Sequence, residues 1–586
     1  MLFRRNIAQT PGEERQPRHR PLPVQRTQQP RHRPLPLQRT QQPRHRSQRI
    51  SSPSAAIALI LSALCLLHGC SFTDNPVETP TITNEQQHDA PATHDDPVRT
   101  VPDPGQFTLR YVPDSPLNPI TGLNRDNIVL ASLLYEGLFR LDSNLGVSAV
   151  LCDNWETEDN ITFKFIIKPD IAMSDGSLLT AEDVVYSITQ ASQKGRFANR
   201  LSVIKSITVD EEEFLTFYIV LRSANRNFIK LLDIPIIKSG SIDHQIPPGT
   251  GPYIFAGGNV MQLAPFIRHR SYNSLPVPMI KLIECKDNEL AEMFDSGILS
   301  LLVDDPADTL DIILNRQNEL RAFETTTLQY IGFNTRSAIL KDVDVRRAIG
   351  SSIDRAYIVG SIMPGQPFAA PLALSPAYRF YDKSWEQLAS DPLIEMSALL
   401  IHAGLKDYDN DSFLEYPDES GGYYKISLDF IVNSENKYKV RAAHKIADTL
   451  RMYGIEIIVR ELPWENFTAA LASSSFDLYY GEVSLGADFD MSPLLLPNSS
   501  LNYGKTGNIY FEPLIEAFLS AETDEEERAA AETLCDEINI YSPFVPLLYK
   551  RHAMFTPIGA ITGATPSQSG VFGAIDSWTI DLTMLT

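Results

Sequence analysis

A short acidic segment has the clearest spacing for metal chemistry. The segment DYDNDSFLEYPD places carboxylates at positions 1, 3, 5, 9 and 12 of a twelve-residue calcium loop, at Asp407, Asp409, Asp411, Glu415 and Asp418. Position 6 holds Ser412, where the sharp turn of a calcium loop uses glycine, and Asp418 replaces the bidentate glutamate. We interpret the segment as a polar turn, with calcium binding as the alternative, and we expect no cofactor.

The motifs of common hydrolases and nucleotide-binding enzymes are not found in the sequence. It contains no G-x-S-x-G, no H-E-x-x-H and no C-x-x-C. The nearest phosphate-loop candidate ends in YGKT and has Ser499 where its first glycine is required. The histidines of the middle and second half of the chain lack ligand spacing, at His244, His269, His402, His444 and His552. We therefore predict no catalytic residue and no enzyme activity, with a secreted hydrolase as the disfavoured alternative.

The first 50 residues differ in composition from the rest of the chain. QPRHRPLPVQRTQ (16–28) recurs as QPRHRPLPLQRTQ (29–41) and in part at 42–49. Such Arg-rich and Pro-rich repeats have no apolar face and cannot form a core. We interpret 1–50 as a long cationic leader or as a start site assigned too early, with a basic arm for nucleic acid or anionic lipid as the alternative.

The leader also changes the charge balance. It holds 12 Arg and 2 Glu, so that its removal takes the net charge from −22 to about −32. Such an acidic surface disfavours nucleic acid as a partner.

An apolar run of about 13 residues, AAIALILSALCLL, follows the leader and is too short to span a bilayer. A cationic region, an apolar core and a small-residue cleavage point in this order predict a signal peptide over 51–69. LHGC resembles a bacterial lipobox, which predicts that Cys70 is lipidated and becomes the first mature residue. Plain secretion and an uncleaved anchor are the alternatives. The Pro-rich and Asp-rich stretch 70–105 then acts as a flexible tether.

The remaining chain alternates strand and helix signals, which predicts an α/β fold of two or three structural units. Strands are predicted at 108–112 and 161–168, and a helix is predicted to begin after Thr180, whose hydroxyl can accept from the amide of Asp183. Spacings of four predict one amphipathic helix over 342–359. The stretch 439–462 predicts a helix, a terminus at Gly454 and a strand, and 521–541 predicts a further helix.

Seven blocks, spread over most of the mature chain, resemble one family. They are LLYEGLFRLD (133–142), FKFIIKPDIAMSDGSLLTAEDVVYSI (163–188), PPGTGPYIF (247–255), LQYIGFNT (328–335), DVDVRRAIGSSIDRAYIV (342–359), SALLIHAGL (397–405) and SLGADFDMSP (484–493). In this order they resemble the family 5 extracellular solute-binding proteins, the oligopeptide, dipeptide and nickel type receptors of ABC importers.

The resemblance implies a two-lobe fold of the periplasmic-binding-protein type, type II, in the large peptide-receptor cluster. Lobe I would comprise 106–325 plus 543–586, and lobe II would comprise 326–542. The chain would therefore cross between the lobes twice, in TTTLQYIGFNT and in SPFVPLLYK.

The resemblance also implies a ligand site. Asp488 holds the position of an aspartate that takes the α-ammonium group of peptides in related receptors, and Glu136 resembles a second acid of the cleft. Candidate apolar walls of the site are Tyr135, Tyr480 and Phe489.

The implied function is that of a monomeric lipoprotein on the outer face of the cell membrane. It would capture short peptides and deliver them to an ABC permease and its ATPase subunits. A nickel chelate, a sugar, another small solute or a peptide signal is the alternative ligand.

Overall fold

The computed structural model describes residues 105–263, 275–308, 312–388, 392–417, 421–507 and 510–585. The leader, the signal peptide, Cys70 and most of the tether lie outside the described residues. Among the described helices, none combines the length and the apolar character that a membrane span requires.

The part of the chain before residue 305 is rich in strands. Its strands are β1 (Phe107–Tyr111), β2 (Phe139–Leu141), β3 (Val147–Ala149), β4 (Cys152–Glu156), β5 (Thr162–Ile167), β6 (Ile204–Val209), β7 (Thr216–Leu221), β8 (Tyr253–Gly257), β9 (Val260–Leu263), β10 (Met279–Glu284) and β11 (Leu302–Asp304). Its α-helices are α1 (Arg125–Leu134), α2 (Ala181–Gln193) and α3 (Leu290–Asp295).

The later part alternates strands and helices. Its strands are β12 (Asn318–Phe333), β13 (Phe368–Ala369), β14 (Glu415–Pro417), β15 (Tyr423–Lys425), β16 (Ser427–Asn433), β17 (Glu456–Leu462), β18 (Leu478–Ser484), β19 (Phe544–Pro557), β20 (Ile561–Thr562) and β21 (Thr579–Ile580). Its helices are α4 (Val343–Ser351), α5 (Arg355–Tyr357), α6 (Pro392–His402), α7 (Lys437–Met452), α8 (Trp464–Ser473), α9 (Ser492–Leu495), α10 (Phe511–Ser520) and α11 (Asp524–Tyr541).

Three large sheets organise these elements. One has the order β1-β10-β9-β8, and a second, antiparallel sheet has the order β4-β5-β7-β6. The third has the order β11-β19-β12-β18-β16-β17, with β13 on β19. Its β16 pairs in parallel with both β17 and β18, whereas β12 and β19 are antiparallel. The predicted α/β class is therefore confirmed.

The long strands β12 and β19 connect two groups of hydrophobic cores. One core contains β12 only at Phe323 and β19 only at Met554, whereas two further cores contain residues of β12 from Leu328 onward and of β19 up to Tyr549. The pairing of the two strands shifts in register between Glu324 and Leu328, at the change of core. We call the cluster that contains Phe323 and Met554 the first core. The two clusters that contain β12 from Leu328 and β19 up to Tyr549 are together called the second core.

Three local signals of the sequence are reproduced in the structure. Thr180 and Asp183 form a reciprocal capping box at the start of α2. Gly454 adopts a left-handed φ of 81° between α7 and β17, as the predicted helix terminus requires. The helix predicted at 521–541 begins after Thr523, which caps α11.

The single helix predicted over 342–359 is wrong. Helix α4 ends at Ser351, and the side chain of Asp354 accepts from the amide of Tyr357 to start a separate short turn. This local cap competes with continuation of the helix, because aspartate at a helix start satisfies an amide that would otherwise lack a partner. Tyr357 is consequently 45 % exposed instead of lying on a buried face.

Candidate functional site

Two prominent cavities lie in the described part of the chain, and the larger has a volume of about 570 Å³. Its walls come from both cores, with Phe139 and Val571 on the first-core side and Leu485 on the second-core side. The predicted crossing segment Thr325–Thr327 also lines it. The cavity therefore lies where β12 and β19 pass from one core to the other.

Tyr135 and Glu136, both predicted as site residues, line this cavity. The hydroxyl of Tyr135 donates to the carbonyl of Pro247 at 3.0 Å, and burial raises the pKa of this phenol well above its ordinary value. The bend PPGTGPY packs closely against the same segment. A Cβ on Gly249 would lie 2.3 Å from the Tyr135 ring, and one on Gly251 would lie 2.3 Å from the carbonyl carbon of Leu134. The two glycines are therefore required by this close approach.

Asp488 lines neither of the two cavities, although Gly486 lines the larger one and Phe489 the smaller one. Its side chain is buried, and its Oδ2 accepts a hydrogen bond of 2.8 Å from the amide of Asn225. Burial raises the pKa of Asp488 to about 6, the charge of Asp490 adds to the rise, and the Asn225 hydrogen bond opposes it. Its role as a ligand contact stays a prediction.

The other two predicted aromatic walls, Tyr480 and Phe489, lie apart from each other. Tyr480 is buried in the second core, where its hydroxyl donates to Oε1 of Gln329 at 2.8 Å. Phe489 lines the smaller cavity, of about 270 Å³, together with Tyr378 and Lys230. Of the five predicted ligand residues, the structure thus brings only Tyr135 and Glu136 together in the wall of the larger cavity.

A buried charge network lies on the strands beside the larger cavity. Lys550 is 4 % exposed in its side chain and forms ion pairs with Asp305 and, at 3.5 Å, with Glu482. Burial opposes ionisation of Asp305, but His552, whose Nε2 lies 3.6 Å from Oδ2 of Asp305, and the charge of Lys550 outweigh it and hold the pKa of Asp305 well below its usual range. Because His552 also lines the larger cavity, the network connects the strand crossing with the cavity wall.

The acidic loop brings four of its five predicted carboxylates together. Oxygens of Asp407, Asp409, Asp411 and Glu415 lie within 4.8 Å of one another, and Asp418 lies outside the described residues. Ser412 adopts the left-handed φ of 74° that glycine provides in a calcium loop. Several of these carboxylates already accept hydrogen bonds from backbone amides. For example, the amide of Phe413 donates to Oδ1 of Asp411 at 2.8 Å. Both interpretations, a polar turn and a calcium site, fit this geometry.

Sequence patterns did not indicate the arginines of the larger cavity. Arg125, Arg140, Arg196 and Arg200 all line it. None of them was predicted as a ligand residue, although Arg140 lies in LLYEGLFRLD, the block that also contains Tyr135 and Glu136. Arg196 and Arg200 are four residues apart just after α2, and this spacing could have indicated that they share a face. The same spacing also fits a surface turn. His552, for which the sequence indicated no ligand spacing, is a further member of the wall.

Comparison with known proteins assigns the class of this molecule. The profile described as bacterial extracellular solute-binding proteins, family 5, middle region, matches residues 146–505. The chain therefore belongs to the family 5 bacterial extracellular solute-binding proteins, which serve ABC importers. The predicted family is confirmed.

Two relatives and one solved structure illustrate the family. The oligopeptide-binding protein AppA of Bacillus subtilis is 20% identical over 382 residues, which cover 59% of this chain and 67% of AppA. The glutathione-binding protein GsiB of Salmonella paratyphi A is 24% identical over 307 residues, which cover 50% of this chain and 60% of GsiB. The crystal structure of NikA from Brucella suis with Fe(III)-EDTA matches with a TM-score of 0.65 at 17% identity, over 81% of this chain and all of that one. This likeness confirms the periplasmic-binding-protein fold.

Proposed function

We propose that this protein is the substrate-binding lipoprotein of an ABC importer, and that it captures short peptides between two lobes for delivery to a membrane permease. The cavity of about 570 Å³ with walls from both cores carries the proposal. Its volume lies within the range of about 300 to 1,000 Å³ that is typical of pockets enclosing small ligands. The names of AppA and GsiB, which refer to an oligopeptide and to glutathione, favour peptides as the ligand class.

The two lobes of the proposal are 106–325 plus 543–586 and 326–542. The division of the cores supports the boundary at 325, because it falls between Phe323 and Leu328 on β12. On β19 the cores divide between Tyr549 and Met554, several residues after the proposed boundary at 542. A ligand that contacts both lobes would bind the closed state more tightly than the open state and would therefore shift the protein toward closure. The permease would then recognise the closed protein.

Two carboxylates are candidates for the α-ammonium group of a peptide. The position of Glu136 on the cavity wall supports it as the ligand acid. Asp488 was predicted for this role, but its Oδ2 is occupied by Asn225, so that a ligand ammonium would have to replace that hydrogen bond. A carboxylate in a closed, water-poor cleft attracts a cation more strongly than one in bulk water. Glu136→Gln is therefore expected to weaken peptide binding more than Asp488→Asn does.

The remaining features of the proposal concern location and partners. The protein would be anchored by a lipid on Cys70 to the outer face of the cell membrane, or to the periplasmic side in a bacterium with two membranes. It would act as a monomer, without enzymatic activity, and its protein partners would be the permease and the ATPase subunits.

The ligand class is tested by releasing whatever small molecule the purified protein carries. Residues 71–586 are purified and denatured, and the released small molecules are analysed by mass spectrometry. Peptides among them, together with a rise in melting temperature when they are added back, would support the proposal. A nickel chelate or a sugar in their place would support the alternative receptors on the same fold. Catalytic turnover of a peptide or ester mixture would instead contradict a purely binding function.

A further inference from the structure

Three consecutive polar residues connect the two cores. Asn225, Arg226 and Asn227 follow β7 and directly precede Phe228, which is buried in the first core. The amide of Asn225 donates to the carbonyl of Asn160, in the turn before β5, at 2.9 Å, and the amide of Phe228 donates to the carbonyl of Asn225 at 3.2 Å. We call the three polar residues the clasp. Its backbone is held on the side of the first core by these bonds.

The longest contacts of the clasp reach α11, whose apolar face belongs to the second core. Nδ2 of Asn227 donates to Oε1 of Glu527 at 2.9 Å. The guanidinium of Arg226 pairs with Asp524 at 2.6 Å and with Glu527 at 3.3 Å. Two neighbouring residues of the first-core side therefore bind the same acidic turn at the start of α11.

Two further bonds cross to other segments of the second core. The side chain of Asn225 donates to Oδ2 of Asp488, and the backbone amide of Arg226 donates to the carbonyl of Leu519, each at 2.8 Å. The clasp thus contacts the loop after β18, the end of α10 and the start of α11. Because the cores are joined covalently through β12 and β19, the clasp is a separate, non-covalent connection between them.

The buried carboxylate of Glu527 also accepts from its own core. The hydroxyl of Tyr378 donates to Oε1 at 3.0 Å, and the guanidinium of Arg379 donates to Oε2. Tyr378 belongs to the second core, and the guanidinium carbon of Arg379 lies 4.1 Å from the centre of the Phe380 ring. A buried carboxylate that loses all its donors is costly. Glu527 would keep Tyr378 and Arg379 if the clasp left, so that separation of the cores does not leave a bare buried charge.

We propose that the clasp is a reversible latch, which holds the two cores together through α11 and sets the balance between open and closed forms before any ligand binds. The inference goes beyond the proposed function and rests on its two-lobe arrangement alone. The apparent affinity of a ligand for the closed form falls in proportion to the fraction of closed protein. The strength of the latch would therefore tune the affinity for every solute alike.

Small-angle X-ray scattering of the purified chain 71–586, freed of bound solute by partial denaturation and dialysis, tests the latch. The double variant Arg226→Gln/Asn227→Ala removes the ionic crossing bonds to α11. A hydrogen bond to a charged group is worth about 10-fold or more in an equilibrium constant. The double variant should therefore raise the ratio of open to closed protein by about 100-fold and increase the radius of gyration.

Hydrogen exchange resolved to single amides localises the opening. The amide of Arg226 crosses to Leu519, whereas the neighbouring amide of Asn225 bonds to Asn160 on the side of the first core. Exchange through an opening reaction is proportional to the population of the open form. In Asn227→Ala, the Arg226 amide should exchange about 10-fold or more faster than in the parent protein, and the Asn225 amide should exchange at an unchanged rate.

Arg379→Gln is the matched control, because Arg379 binds the same two acids, Asp524 and Glu527, from the second-core side. Loss of this guanidinium should leave both the radius of gyration and the exchange of the Arg226 amide unchanged. A cooperative melting transition shows that each variant is folded.

The outcomes distinguish a latch from a static contact. A larger radius and faster exchange in the clasp variants, with neither in Arg379→Gln, support the proposal. An unchanged radius overturns it, even if exchange is faster, because the clasp would then detach without separating the cores. An equal increase in Arg379→Gln overturns it as well, because the crossing bonds would not be the cause. No ligand enters these measurements, so their failure leaves the peptide-binding function to its own test.

Discussion

The side-chain amide of Asn225 donates a hydrogen bond of 2.8 Å to Oδ2 of Asp488, and both residues are buried. The two positions are 263 residues apart in the chain. Neighbouring contacts reinforce this link, since Asn227 donates to the buried Glu527 at 2.9 Å and the amide of Arg226 donates to the carbonyl of Leu519 at 2.8 Å. The segment 225–227 thus joins the loop after β7 to α10, α11 and the loop after β18.

The raised pKa of Asp488 predicts a pH-dependent cost to stability. Because its folded pKa of about 6 exceeds the ordinary value of 3.8, the folded protein binds the proton more tightly, and stability falls as pH rises from about 4 to about 6. Asp488→Asn should therefore be more stable than the parent protein at pH 7, by at most about 3 kcal/mol. Urea unfolding at pH 4 and pH 7 measures this difference, which should shrink at pH 4. An equal difference at both pH values would show that the carboxyl is not responsible.

Removal of the Lys550 charge should destabilise the protein strongly. Lys550→Met leaves Asp305 and Glu482 without their buried ammonium partner. Breaking a buried ion pair costs about 3 to 5 kcal/mol, because an uncompensated charge stays behind. The comparison is with Lys205→Met, whose side chain is exposed on β6. The stability of both variants is measured by chemical denaturation. Equal midpoints would contradict a stabilising role of the Lys550 ion pairs.

A methyl group at Gly251 should disturb the cavity wall. The Cβ of Gly251→Ala would lie 2.3 Å from the carbonyl carbon of Leu134, and backbone atoms of α1 cannot move aside as a flexible side chain does. We expect a loss of about 1 to 3 kcal/mol in stability, as for overpacking elsewhere, and weaker ligand binding through the adjacent Tyr135. Gly360→Ala is the control, because a Cβ at this position would have no atom from another segment within 4 Å. Calorimetry of the two variants checks the prediction.

The acidic loop should keep its form without a cation. Since backbone amides already bond to carboxylates of Asp407, Asp409 and Asp411, we expect no change in melting temperature between EDTA and millimolar calcium. A rise with calcium that disappears in Asp409→Asn would instead establish a metal site. Magnesium serves as the control for a general effect of divalent charge, because it tolerates this open geometry less well.

The anchor prediction concerns Cys70, which lies outside the described residues. Metabolic labelling with palmitate of the full chain in a lipoprotein-processing bacterium should label the protein. The label should be lost in Cys70→Ser and retained in Cys65→Ser, because Cys70 is the cysteine of LHGC, whereas Cys65 lies inside the apolar run. Retention of the label in Cys70→Ser would reject the lipobox.

Local signals in the sequence predicted much of the fold. The capping box of Thr180 and Asp183 depends on interactions within a few residues. The same is true of the helix end at Gly454, so that both features could be predicted from local side-chain chemistry. The helix over 342–359 was predicted too long, because its apolar spacing was counted without the competing cap at Asp354. The ordered blocks of sequence identified the family, which the profile match over 146–505 confirms.

The composition of the cavity wall was decided by the tertiary structure. From the sequence, both Glu136 and Asp488 were candidate acids of the ligand site. In the folded protein Glu136 lines the larger cavity, whereas Asp488 is buried and accepts a hydrogen bond from Asn225. The arginines of the wall were not predicted, because whether an arginine pairs with a carboxylate depends on residues far away in the chain, as with Arg125 and Asp304. Burial, charge pairing and the shape of a cavity are properties of contacts between distant segments, whereas the sequence specifies only the groups that can take part in them.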